Sequence, residues 1–219
     1  CYLNSLLQMF FHLPALRRAV FALDPGGGQG LVPAMQGLFA ALQTSLGPVS
    51  TKALTESFGW TSDEAFKQHD LQELNRVLSD KLAERMKGRE EVGTIDGLFR
   101  GKLRRFTRCL NVQCESSVEE PFYDIQMDVK GCSDVGESIQ KLLQEERMDG
   151  SNQYRTDEHG LQDAVRGAEL LELPRVLVLH LVRFQVDYSS GAGVATKAND
   201  RYTFPEELLV PVAVPDSDG

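Results

Sequence analysis

The sequence predicts an α+β protein, with a helical first half and antiparallel strands in the second. Two observations carry that reading. Up to about residue 90, apolar residues recur at the three- and four-residue steps of a helix face. Beyond Gly93 the period falls to two, as where Tyr123, Ile125, Met127 and Val129 alternate with Asp124, Gln126 and Asp128. The composition sets the scale: 219 residues, 42% hydrophobic and 25% charged, suit a soluble globular chain of one large domain or two small ones.

Charge narrows the partners. With 23 Lys and Arg against 32 Asp and Glu the net charge is −9, which argues against nucleic acid or an anionic membrane and favours a basic partner. No apolar run reaches the length of a membrane-spanning helix. Four cysteines (Cys1, Cys109, Cys114, Cys132) do not make a disulfide scaffold, so a reducing compartment, cytoplasmic or nuclear, is expected. The chain opens on Cys1 with no initiator Met and reads as a piece of a longer protein.

In order along the chain, Leu3, Leu6, Leu7 and Phe10 mark a first helix, which Leu13-Pro14 ends. A second runs over Ala15–Leu23, before the flexible loop Asp24-Pro25-Gly26-Gly27-Gly28. A third has Pro33 in its first turn and reaches about Thr44, and a short one covers Thr51–Phe58. Thr61-Ser62-Asp63-Glu64 has capping-box spacing and opens a long helix. Leu71, Leu74, Val77, Leu78 and Leu82 form its apolar stripe, which stops at Lys87-Gly88. Leu98–Leu110 reads as extended, with one face hydrated by its arginines, and 123–129 as a half-buried strand of an antiparallel sheet. Ser133–Glu145 reads as helix, Asp149–Asn152 as a turn, and Arg175–Phe184, apolar on both faces except at His180, as a central strand. A hairpin through Ser189–Gly193 and an extended piece at Tyr202–Pro205 follow.

Cys1 stands just before the first helical pattern, where free backbone N–H groups and the helix dipole stabilise a thiolate. That is a nucleophile's position, although cysteine also serves as a small buried hydrophobe. The stretch Gln68-His69-Asp70-Leu71-Gln72-Glu73-Leu74 is dense in donors and acceptors, fitting either a binding face or a solvated helix surface.

Four blocks, in order, resemble the ubiquitin-specific protease family of thiol deubiquitinases. They are Cys1-Tyr2-Leu3-Asn4-Ser5-Leu6-Leu7-Gln8, Ser57-Phe58-Gly59-Trp60 with Gln68–Leu74, Leu179-His180-Leu181-Val182-Arg183-Phe184, and Asn199-Asp200-Arg201-Tyr202-Thr203-Phe204-Pro205. Phe58-Gly59-Trp60 and Leu98-Phe99-Arg100-Gly101-Lys102 are most similar to the branch of the herpesvirus-associated enzyme. The resemblance implies a papain-like cysteine protease fold: a helical thumb (1–92) with the nucleophile, β-rich fingers (93–170), and the first part of a palm (171–219). It implies that Cys1 attacks the carbonyl of ubiquitin's last glycine and forms a thioester that water hydrolyses. Asp70 and Glu73, three apart on one helix face, would pair with arginines of the ubiquitin tail. Gln68 and Gln72 would bond its backbone, Phe184 would line its channel, and Asp124 and Gln126 are further candidates for ubiquitin contact. Ubiquitin and ubiquitinated proteins are the partners implied, with no cofactor.

Two departures from the family pattern stand out. The general-base histidine follows a glycine-rich element that lies past residue 219, so the piece by itself is expected to be inactive or nearly so. His12, His69, His159 and His180 do not replace it, and His180 is expected to be a satisfied core residue. The zinc knuckle of the fingers is degraded: Cys109 keeps one ligand position, while Val112, Thr156 and His159 occupy the others, so no metal is expected. The competing readings are a non-catalytic ubiquitin-binding module and an N-terminal-nucleophile hydrolase using the Cys1 amine.

Overall fold

The computed structural model describes residues 2–28, 30–59, 71–89, 92–187 and 193–213. The chain divides into two compact units, Cys1–Leu98 and Phe99–Gly219.

The first unit is helical. Its elements are α1 (Tyr2–Phe11), α2 (Pro14–Phe21), α3 (Leu31–Thr44), α4 (Lys52–Ser57) and α5 (Leu71–Arg85), while α6 (Ile95–Phe99) spans the division. The apolar steps seen in the sequence are its core: Leu3, Leu6, Leu7 and Phe10 of α1 are buried with Leu16 and Val20 of α2 and Met35 and Phe39 of α3. Helix ends are closed from neighbouring elements, which removes the cost of bare carbonyls. Arg17 Nη1 donates to Phe11 O at 2.9 Å, and Gln36 Nε2 donates to Val20 O and Leu23 O, each at 2.9 Å. The long helix holds its face with Leu74, Leu78 and Leu82, all at most 2% exposed. Leu71 and Val77, expected in the same stripe, are 43% and 39% exposed. The i, i+4, i+8 line through Leu74 is the buried one, and the other two residues flank it. The capping-box start lies outside the described residues. At the far end Gly88, at φ +80°, terminates the helix in the left-handed region.

The second unit is built on a four-stranded antiparallel sheet of order β2-β1-β7-β4, with β1 (Gly101–Cys109), β2 (Glu115–Phe122), β4 (Glu146–Met148) and β7 (Ala164–Glu172). Its charged residues pair across strands and with the residue just before β4. Arg104 Nε donates to Glu169 Oε2 at 3.0 Å, Lys102 Nζ lies 3.3 Å from Glu119 and 3.5 Å from Glu172, and Arg108 Nη2 lies 3.0 Å from Glu145. The hydrogen bond to Glu119 and the charge of Glu172 hold Lys102 above its ordinary pKa. Three small pairs surround this sheet: β3 (Ile125–Asp128) with β8 (Leu179–Val182), β5 (Tyr154–Thr156) with β6 (Gly160–Gln162), and β9 (Phe184–Asp187) with β10 (Val194–Lys197). Helix α7 (Val135–Leu143) starts on Asp134, whose Oδ1 accepts Glu137 N–H at 2.9 Å while Glu137 Oε2 accepts Ser133 N–H at 2.6 Å. Its Val135 and Ile139 join Phe122, Ile125, Met127, Val129, Leu170 and Tyr202 in one core.

Four expectations change here. Leu98 and Phe99 are helical, and the strand begins only at Gly101. A Cβ at Gly101 would meet Phe122 Cζ at 2.2 Å and the Glu172 carbonyl oxygen at 2.8 Å, so a side chain there would displace the Phe122 ring and crowd the facing strand. Of the strand expected over 123–129, Ile125–Asp128 forms and alternates buried and exposed as read, while Tyr123 is 41% exposed, and β3 pairs with β8 in parallel, not antiparallel. Strand β8 is half-buried throughout and, among the described residues, has β3 as its one ladder partner; it is not a central strand. Strand β2 was not anticipated, because seven of its eight residues are exposed and carry no apolar alternation. The tip of the late hairpin, 188–192, lies outside the described residues; its flanking strands β9 and β10 pair as expected, with Phe184 opposite Lys197.

Candidate functional site

Cys1, Gln68 and Asp70 lie outside the described residues. Gln72 and Glu73 occupy the first turn of α5, Gln72 half-buried and Glu73 exposed. Phe184 opens β9 and is 69% exposed, with Lys197 Nζ 5.9 Å from its ring centroid. The neighbouring Arg183 fixes this hairpin at its base: its Nη1 donates to Ala198 O and Asp200 O, each at 3.2 Å, and its own carbonyl accepts Ala198 N–H at 2.7 Å. The exposed ring thus directly follows a residue tied to the segment after β10.

Asp124 and Gln126 come together in the second unit, on the wall of an open concavity of about 690 Å³. Its floor is apolar, with Leu103, Phe122 and Leu142, and its rim is charged, with Arg105, Glu120, Asp128 and Lys141. Two ion pairs set the rim: Lys141 Nζ lies 2.8 Å from Asp128 Oδ2, and Arg105 Nε lies 3.5 Å from Glu120 Oε2. The hydrogen bond that Lys141 donates to Asp128, then the charge of that carboxylate, raises the Lys141 pKa. Arg105 and Lys141 were not picked out from sequence. They reach the rim from β1 and α7, and only the fold makes them neighbours of Gln126.

The histidines differ from expectation in one case. His12 and His159 are exposed. His180 lies opposite Gln126 in the β3–β8 pair and is only half-buried, yet its Nδ1 is buried without a hydrogen-bond partner among the described residues. It is therefore not the satisfied core residue expected, because the strand that carries it is covered less completely than its apolar sequence suggested.

At the four knuckle positions, the β5–β6 turn is closed by Thr156. This residue is 8% exposed; its Oγ1 accepts His159 N–H at 2.9 Å and donates to Gly160 O at 3.2 Å. A hydroxyl thus ties this turn from both sides. Cys109 is buried, and that burial, with Cys114 beside it, pushes its thiol pKa up. Among the described residues no group of three or more His, Cys, Asp and Glu is placed to hold a metal, nor is any helix long and apolar enough to cross a membrane.

The family model for ubiquitin carboxyl-terminal hydrolases matches residues 1–216, and the chain belongs to that family. It is 46% identical over 212 residues to ubiquitin C-terminal hydrolase 12 of Arabidopsis thaliana, a match covering 95% of this chain and 19% of the relative. It is 41% identical over 211 residues to ubiquitin carboxyl-terminal hydrolase 7 of Caenorhabditis elegans, covering 95% of this chain and 18% of that protein. The chain thus spans about a fifth of the length of these curated relatives. A chain of the SAGA Ubp8/Sgf11/Sus1/Sgf73 DUB module shares the fold, with a TM-score of 0.74 at 19% identity over 94% of this chain and 49% of that one. The mixture of helices and antiparallel sheet is that of the papain-like catalytic domain.

Proposed function

We propose that this chain is the nucleophile-bearing part of a deubiquitinating thiol protease, which cleaves the peptide or isopeptide bond after the last glycine of ubiquitin. The observation that carries the reading is family membership over residues 1–216, with a cysteine box at its start. In this account Cys1 attacks the scissile carbonyl, the amine leaves, and water hydrolyses the thioester. The oxyanion is met by N–H groups around Cys1 and by a side-chain amide outside these residues. The base that deprotonates Cys1 is a histidine beyond the chain, so the 219 residues alone are inactive or nearly so. Residues 1–92 form the thumb, 93–170 the fingers and 171–219 the first part of the palm. Gln68, Asp70, Gln72 and Glu73 hold the ubiquitin tail, Phe184 lines its channel, and the Asp124–Gln126 concavity receives the body of ubiquitin. The charged rim and apolar floor of that concavity support its assignment. Cytoplasm or nucleus is the compartment proposed.

The test is covalent labelling by ubiquitin carrying a C-terminal electrophile, using the protein extended past both ends of this chain. Labelling lost in Cys1→Ser, with ubiquitin binding kept, is the expected result. A folded protein that binds ubiquitin without labelling would be a non-catalytic ubiquitin-binding module instead.

A further inference from the structure

We propose that Cys109 and Cys114 form a dithiol modification site at the tip of the β1–β2 hairpin, closed to an intrachain disulfide by a small-molecule disulfide oxidant and reopened by thiols. The β1–β2 register runs from Gly101 opposite Phe122 to Arg108 opposite Glu115, and Cys109 and Cys114 are the next residues on either side, facing one another if the same ladder is carried one step on. Cys109 N–H donates to Cys114 O at 2.9 Å, one of the two bonds that a facing hydrogen-bonded pair shares and enough to hold the two backbones side by side. Facing residues in a hydrogen-bonded antiparallel pair have Cα atoms about 5.5 Å apart, inside the span a disulfide bridges. The side chains of facing residues leave the same side of the sheet. The tip holds them there: Cys114 N–H donates to Val112 O at 2.9 Å, and Leu110 N–H donates to Asp163 O at 2.8 Å, anchoring the turn to the segment before β7. The two sulfurs differ in access, with Cys109 buried and Cys114 half-buried, and both are free thiols. Among the described residues no third ligand joins the two cysteines, and thiol–disulfide exchange is a chemistry that two neighbouring thiols can carry out.

The exchange balances in two steps. The Cys114 thiolate attacks one sulfur of glutathione disulfide, forming a mixed disulfide and releasing one glutathione thiolate, which takes a proton. Cys109 then attacks the Cys114 sulfur and releases the second glutathione. Two protein thiols are oxidised and one oxidant disulfide is reduced to two thiols.

Trypsin isolates the site, because no Lys or Arg lies between Arg108 and Lys130 and Cys132 falls in the next peptide. The folded protein is incubated with glutathione disulfide, then unfolded in guanidinium chloride containing N-ethylmaleimide and digested. The expected 109–130 peptide is lighter by two hydrogens and carries no maleimide, while prior dithiothreitol restores two maleimides. Cys109→Ser should trap Cys114 as its glutathione adduct, and Cys114→Ser, at the more exposed position, should leave Cys109 open to maleimide. Wild-type protein of native circular dichroism that yields two maleimides, two glutathione adducts, or a link from either residue to Cys132 overturns the proposal.

Discussion

Ser138 is 2% exposed, and its hydroxyl joins three segments of the second unit: it donates to Asp128 O at 2.6 Å, at the end of β3, and accepts Tyr202 Oη at 2.8 Å. Ser138→Ala should cost about 1–3 kcal/mol, because the Tyr202 hydroxyl is left buried without its acceptor. Tyr202→Phe should cost about 1 kcal/mol, and the double variant less than the sum, as read by urea unfolding. Glycines give a second contrast. A Cβ at Gly93 would lie 2.4 Å from the backbone oxygen of Ala15, whereas one at Gly88 meets nothing within 4 Å and suffers only its φ of +80°. Gly93→Ala should therefore lose roughly 1–3 kcal/mol through overpacking, and Gly88→Ala about 1 kcal/mol through backbone strain. For Cys109 the pH dependence has a definite sign. The thiolate is the nucleophile, and burial raises the pKa, so iodoacetamide should modify Cys109 more slowly than Cys114 at neutral pH and catch up only in alkali.

At the scale of elements, what periodicity could tell is visible in α5. The sequence located the helix by five apolar residues, but only Leu74, Leu78 and Leu82 face the core. Leu78→Ala should cost about 2–5 kcal/mol, while Val77→Ala should change stability by no more than about 0.5 kcal/mol in the same unfolding assay. Helices α1 to α4 were legible because each combines an apolar face with a Pro or Gly boundary. Strand β2 was illegible because its stability comes from its ladder with β1 and from ion pairs to that strand, neither of which leaves a pattern in its own residues. The parallel pairing of β3 and β8 was hidden for a related reason: alternation reports which face is buried and says nothing of strand direction.

For the molecule as a whole, the net charge of −9 predicts retention on an anion exchanger and none on heparin at neutral pH. The candidate site was readable only where its residues are neighbours in sequence. Asp124 and Gln126 could be paired from their spacing, while Arg105 and Lys141 share their concavity through contacts across tens of residues. The outer edge of β2 meets no strand among the described residues, and such an edge offers open amides to any extended chain that drifts near. Glu115, Glu119 and Glu120 along it, and Pro121 with no N–H to give, make that docking costly. The same carboxylates that tie β2 to β1 thus act as colloidal guards, keeping one copy of the protein from zipping onto the next as its concentration rises.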